Sequence, residues 1–192
     1  MLKLGKISCL PWLFLSALIE EGDRVVDATA GNGWDTLALA RMVGAQGRVD
    51  VFDIPEQALA QTKERLEANR AEAQVRFWLR DHACLADVVA PGIRAAVFNL
   101  GYLPGSDHSV TTQPLSTRKA VQGAMGLLCP GGAVVVTVYR GLPSGVAEGR
   151  CLTAYLQTVS LQSFCVVEGK HLNHEESAPY WVIIQAKGYE GL

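Results

Sequence analysis

Residues 25–36 read Val-Val-Asp-Ala-Thr-Ala-Gly-Asn-Gly-Trp-Asp-Thr and bring an acid, two glycines and a helix start together. Val25 and Val26 are β-branched and lead into Asp27, as in a buried strand that ends at a sheet edge. Gly31 and Gly33 supply backbone that can turn tightly and approach a ligand with no Cβ in the way. From Trp34 on, Leu37, Leu39, Ala40, Met42 and Val43 follow helical spacing. A strand feeding a helix through Gly-x-Gly is how a nucleotide-like ligand is held against a parallel sheet. The third glycine of a dinucleotide site is missing, because Thr36 stands in its place. A carboxylate at Asp27 repels a pyrophosphate and attracts a positive amino group. S-adenosylmethionine has an ammonium, a sulfonium and an adenosine but no phosphate. It is therefore expected here in preference to NAD, whose dehydrogenases are the rival reading.

A second acid ends the next strand-like run, residues 47–53, at Asp53. It lies about 20 residues beyond Gly33, the spacing at which a carboxylate takes ribose hydroxyls. Asp53 can equally cap the helix that begins near Pro55; the glycine turn upstream favours ribose. Asp81 and His82 leave a third strand where an adenine would lie, and either can be a turn residue instead. Residues 99–107, Asn-Leu-Gly-Tyr-Leu-Pro-Gly-Ser-Asp, follow a fourth strand. In a doubly wound sheet this segment starts beside the glycine turn. Asn99 can hydrogen-bond an amino nitrogen and hold it in line with a methyl donor. Tyr102 can stack on a base. Asp107 can accept a proton or simply form a turn.

These groups need a scaffold, and the periodicity supplies one. Helices are expected over 8–21, 34–43, 55–70, 114–128 and 145–159, with Cys-Pro-Gly-Gly at 129–132 capping the fourth. Strands are expected over 25–27, 48–53, 75–79, 93–99, 133–139, 161–169 and 179–187. No helix separates the last two strands, so they should pair as a hairpin. The expected fold is α/β, a doubly wound seven-stranded sheet with one antiparallel strand, in a single domain over 1–192.

Bulk properties narrow the class. The net charge is −2, so any nucleic-acid contact must rest on a local patch. The apolar run at 7–19 is too short to span a bilayer, carries Pro11 and lacks a signal-peptide pattern, so no membrane association is expected. The same apolar helix leaves room for a homodimer. Five scattered cysteines without Cys-x-x-Cys suggest a reduced, cytoplasmic protein with buried thiols. Four histidines show no usual ligand spacing, so no metal is expected.

The pair Asp-Ala-Thr-Ala-Gly-Asn-Gly-x-Asp-Thr at 27–36 and Asn-Leu-Gly-Tyr-Leu-Pro-Gly at 99–105 resembles the rRNA-methylase-like, YtqB/MnmM-type methyltransferases. The likeness runs nearly end to end, through Tyr139-Arg140-Gly141 and Asn173 to Pro179. Members of that family methylate 5-aminomethyl-2-thiouridine at the tRNA wobble position. The resemblance implies that Asp27, Thr29, Gly31, Asn32 and Gly33 meet the methionine part of the donor, with Ala28, Asp35 and Thr36 in the same segment. It implies Asp53 at ribose and Asn99, Gly101 and Tyr102 at the donor–acceptor junction. The anticodon region of tRNA becomes the expected partner. This chain departs from the family at three places. Trp34 and Leu142 stand where histidines are usual, and Ser106 stands for a second glycine.

The implied reaction is a direct methyl transfer to an amine. A primary alkylamine, like lysine at roughly 10.4, is mostly protonated near neutral pH and has no lone pair to attack with. Asp107, His108 and His174 are the candidate bases. Arg118, Lys119, Arg140 and Lys170 are the candidate substrate contacts, Arg140 foremost because it follows the central strand.

Overall fold

Strand after strand in this chain is apolar on both sides, which only a sheet covered by helices on both faces can accommodate. The computed structural model describes residues 3–71, 73–101 and 112–188. In chain order the elements are α1 (Cys9–Leu18), β1 (Arg24–Asp27), α2 (Trp34–Val43), β2 (Arg48–Asp53), α3 (Glu56–Ala68) and β3 (Gln74–Leu79). After a 3-10 turn (His82–Cys84) come α4 (Leu85–Val88), β4 (Ile93–Leu100), α5 (Pro114–Leu127), β5 (Leu128–Val138), α6 (Pro143–Leu156), β6 (Phe164–Gly169) and β7 (Tyr180–Ala186).

The strands form one seven-stranded sheet in the order β3-β2-β1-β4-β5-β7-β6. All pairs from β3 to β5 are parallel, and β7 runs antiparallel to both β5 and β6. The expected hairpin and the single reversed strand are both present. The chain winds from β1 toward β3, then returns to lay β4 on the other side of β1. The crevice of an open α/β sheet opens at that reversal.

Alternation along the strands splits the core in two. Val25, Val49, Val51, Ala95 and Val97 pack against Leu15 of α1, Leu37 and Leu39 of α2 and Leu59 of α3. Val26, Phe52, Ala96, Phe98 and Val136 pack against Val121 and Ala124 of α5 and Leu152 of α6. Half-exposed Leu10 and Leu13 lie on the outer side of α1.

Three expectations need correcting. Cys-Pro-Gly-Gly does not cap α5: it is the start of β5, which pairs Leu128 with Ile93 and then Ala133 with Ala95, with a register shift between the two pairs. Gly131 takes a positive φ of 76° there, which glycine adopts without strain. The short α4 between β3 and β4 escaped the periodicity because four residues make barely one turn. The thiols are not buried: Cys9, Cys84, Cys129 and Cys151 are partly exposed and Cys165 is exposed. Among the described residues no helix is long and apolar enough to cross a membrane.

Candidate active site

The parallel strands end on one edge of the sheet, and the ends of β1, β2 and β4 converge there. After Asp27 the backbone crosses to both neighbours: Ala28 N–H donates to Val97 O and Ala30 N–H to Phe52 O, each across 2.9 Å. Gly31 then bends at φ 53° and Gly33 at φ 76°. Gly33 opens α2 with no room for a side chain, since a Cβ would lie 2.7 Å from Thr62 Cα. The turn is pinned from outside by Arg65, whose Nε donates to Asn32 O across 2.5 Å while its guanidinium lies 3.6 Å from the Trp34 ring centre.

Four carboxylates gather around this turn. Asp27 is fully buried, accepting from Thr36 Oγ1 at 2.5 Å and from Thr29 N–H at 3.1 Å. Burial, and then the negative charge of Asp35, push its pKa up to about 7. Asp35, in the first turn of α2, is raised by burial and accepts from Asn99 Nδ2 at 2.6 Å. Asp53 is also raised by burial, and it accepts 2.8 Å bonds from Gly31 N–H and Ile54 N–H. Asp81 behaves oppositely. Burial pulls it upward, but bonds from Ser116 Oγ and Ala83 N–H and the nearby His82 and Lys119 hold it below the usual range.

These groups border a cavity of about 780 Å³ at the carboxyl edge. Of the donor residues expected from sequence, Ala28, Thr29, Gly31, Asn32, Asp35, Asp53, Asp81, His82, Asn99 and Gly101 line it. Asp27, Gly33 and Thr36 do not. The structure departs from the grip expected at Asp27: its oxygens accept from Thr29 and Thr36, and the acids that line the cavity are Asp35, Asp53, Asp81 and Glu148. Asp27 organises the turn from beneath. Tyr102, Asp107 and His108 lie outside the described residues.

His82 is buried, its ring edge-on to Phe98, with Nδ1 3.1 Å from Ala28 O. A nitrogen facing a carbonyl carries a proton, so Nδ1 donates there, and Nε2 lies 3.9 Å from Asp81 Oδ1. That atom is buried and has no hydrogen-bond partner among the described residues. An unpartnered ring nitrogen at the wall suits a polar atom of a ligand. Asn99 is held at both ends: its N–H donates to Thr29 Oγ1 at 2.8 Å, and its side-chain amide donates to Asp35. Because a carboxylate only accepts, the amide oxygen of Asn99 is left for another donor.

Sequence reasoning missed the far wall. Glu148 on α6 is 1% exposed yet borders the cavity. It accepts from Thr112 Oγ1 at 2.7 Å and from Thr117 Oγ1, and burial raises its pKa. Thr112 in turn accepts from Gly101 N–H and donates its own N–H to Gly101 O, both at 2.9 Å. The signal was available: α6 buries Gly145, Glu148, Gly149, Leu152 and Leu156, so Glu148 is an acid in the apolar register of its helix. Ser116 and Tyr139 also line the cavity. Arg140 does as well, whereas Arg118 and Lys119 do not. His174 is exposed, stacks on His171 with ring centres 4.3 Å apart, and is not on the wall. Among the described residues no group of three His, Cys, Asp or Glu is placed to hold a metal.

The sheet order, the single reversed strand and the cavity at the carboxyl edge are those of the Rossmann-like methyltransferase fold. The chain belongs to the family described as "Putative rRNA methylase", which matches residues 49–185. It is 35% identical over 148 residues to the tRNA (mnm(5)s(2)U34)-methyltransferase, chloroplastic, of Arabidopsis thaliana, a match covering 72% of this chain and 54% of that protein. The chain spans about half the length of this curated relative. A "putative rRNA-methylase" of Clostridium thermocellum superposes with a TM-score of 0.89 at 36% identity, over 92% of this chain and 95% of that one. A "putative methyltransferase" of Streptococcus mutans, solved in complex with SAH, gives 0.86 at 34% identity, over 97% of this chain and 99% of that one.

Proposed function

We propose that the protein is an S-adenosylmethionine-dependent methyltransferase that N-methylates the 5-aminomethyl(-2-thio)uridine at the tRNA wobble position. The observation that carries this reading is the Asn99–Asp35 bond across the cavity floor. The cavity has acids for a cationic donor, and beside them an amide oxygen aimed for an amine. The Arabidopsis relative's name supports the wobble nucleoside as acceptor, and the SAH complex of the Streptococcus relative supports the donor.

The wall fits that donor on its own chemistry. Asp35 faces the cavity for the ammonium, Asp53 for the ribose hydroxyls, and the unpartnered Nε2 of His82 for a polar atom of the adenine. When bound, the donor supplies a methyl group already activated by its sulfonium. The protein's part is alignment and exclusion of water. Asn99, with its amide turned by Asp35, accepts a hydrogen bond from the acceptor nitrogen and directs the lone pair. The amine must arrive neutral or lose a proton, and Asp107 and His108 remain the proposed bases. Tyr102 remains the proposed stacking surface for the uracil.

Purified protein, labelled donor and tRNA lacking the modification test this directly. Methyl transfer to the tRNA, located by mass spectrometry at the wobble uridine, is the expected result. Transfer to ribosomal RNA with none to tRNA would replace the acceptor assignment. No affinity for the donor or its demethylated product would overturn the enzyme reading itself.

A further inference from the structure

A second cavity, of about 570 Å³, opens beside the first and shares Arg140 and Ser177 with it. Its wall is built from α6, the end of β6 and the approach to β7, and it contains Arg140, Arg150 and Lys170. Among the described residues none of these three cations is paired with a carboxylate. Arg140 is fixed in place, since Nε and Nη2 both donate to Ala178 O, at 3.1 and 2.9 Å, and the guanidinium lies 5.2 Å from the Tyr180 ring centre. That anchoring leaves part of its donor fork for an anion lying where the two cavities meet.

A small acceptor would need only the first cavity. A nucleotide within a polymer must also leave its backbone somewhere, and the backbone carries a phosphate on each side of the reacting residue. We infer that the second cavity is a phosphodiester subsite, in which Arg140, Arg150 and Lys170 hold the strand next to the nucleotide that enters the first. This inference rests on the RNA-acceptor reading above and names the surface that receives the polymer. Local placement is what the overall charge of −2 demands, because no general positive field draws RNA in. Glu168 and Glu176 stand in the same wall, both exposed, and oppose the cations. They give the proposal an effect of opposite sign to look for.

The test measures binding of a short RNA hairpin by fluorescence anisotropy over a range of salt, with turnover on tRNA alongside. Arg150→Ala and Lys170→Ala should each weaken hairpin binding about fivefold near 0.15 M salt and cut the slope of log K against log salt by about one. Affinity for the demethylated donor should not change in either variant, which also verifies folding. Glu168→Gln should tighten the hairpin. Unchanged affinity and slope in both cation variants overturn the subsite, as does a wild-type protein that binds no hairpin. If the wild-type protein binds the hairpin with the expected salt dependence but does not methylate tRNA, the acceptor assignment fails and the subsite stands.

Discussion

The side-chain amide of Asn99, at the end of β4, donates across 2.6 Å to Asp35 in the first turn of α2. The two residues are 64 apart in the chain, and the bond ties together the two sides of the crevice. It also orients the amide, because a carboxylate can accept only the N–H end.

Removing that orienting pair should separate chemistry from binding. Asn99→Ala is expected to lower kcat by about a hundredfold or more, the scale of one well-placed polar group, while calorimetry finds the demethylated donor bound as before. Asp35→Asn should weaken donor binding as well, since it removes a charge and frees the amide of Asn99 to turn over. Wild-type turnover by Asn99→Ala would remove Asn99 from the mechanism.

Asp27 makes a prediction about pH. Its carboxyl binds a proton more tightly in the folded protein, at about 7 against an ordinary 3.8. Between those values the native state carries more protons than the unfolded one, so stability falls as pH rises through the window and levels off above it. The change amounts to about 4 kcal/mol at most, at about 1.4 per unit. Asp27→Asn keeps the shape and should flatten the decline, leaving the variant the more stable protein above neutrality. Denaturant titrations at about pH 5 and about pH 8, below and above the folded value of about 7, would measure it. A wild-type protein whose stability does not fall between them refutes the assignment.

The Glu148 carboxylate is tied through Thr112 to Gly101, two residues beyond Asn99. Thr112 is bonded to Gly101 on one side and to Glu148 on the other, and Thr117 steadies the same acid. Glu148→Ala leaves the buried Thr117 hydroxyl and the partly buried Thr112 hydroxyl short of an acceptor, an expected loss of about 1–3 kcal/mol. Glu148→Gln retains an acceptor and should retain most of that stability. In both, turnover should fall more than donor affinity, because the clamp lies on the acceptor side. Thermal melts and a comparison of kcat with donor Kd decide it. A Glu148→Ala protein with the wild-type melting temperature would show that the clamp contributes nothing.

Much of the frame was legible because each element had a local cause. β2 begins and ends at the residues expected, Arg48 and Asp53, since an alternating β-branched run between a glycine and a proline leaves little choice. α2 likewise runs from Trp34 to Val43 as expected, and it is closed by Gly44, whose positive φ of 63° favours glycine. Where the expectations failed, the cause was pairing between distant segments. Cys129 to Gly132 looked like a helix stop, but the backbone groups of β4 draw them into the sheet.

The site divides the same way. The order of strands and helices, the glycine turn and the identity of the polar groups follow from the sequence, because backbone propensity and side-chain period act over a few residues. Which carboxylate faces the cavity does not. Asp27 and Asp35 share one short motif, and only folding sends the first beneath the turn to Thr36 and the second toward Asn99. Glu148 is the clearest case. Its function as a clamp exists only once α6 lies against α5 and brings two threonines, 31 and 36 residues away in the chain, within hydrogen-bond reach. Burial and partner choice depend on what the rest of the chain brings near, so the tertiary structure alone decided them.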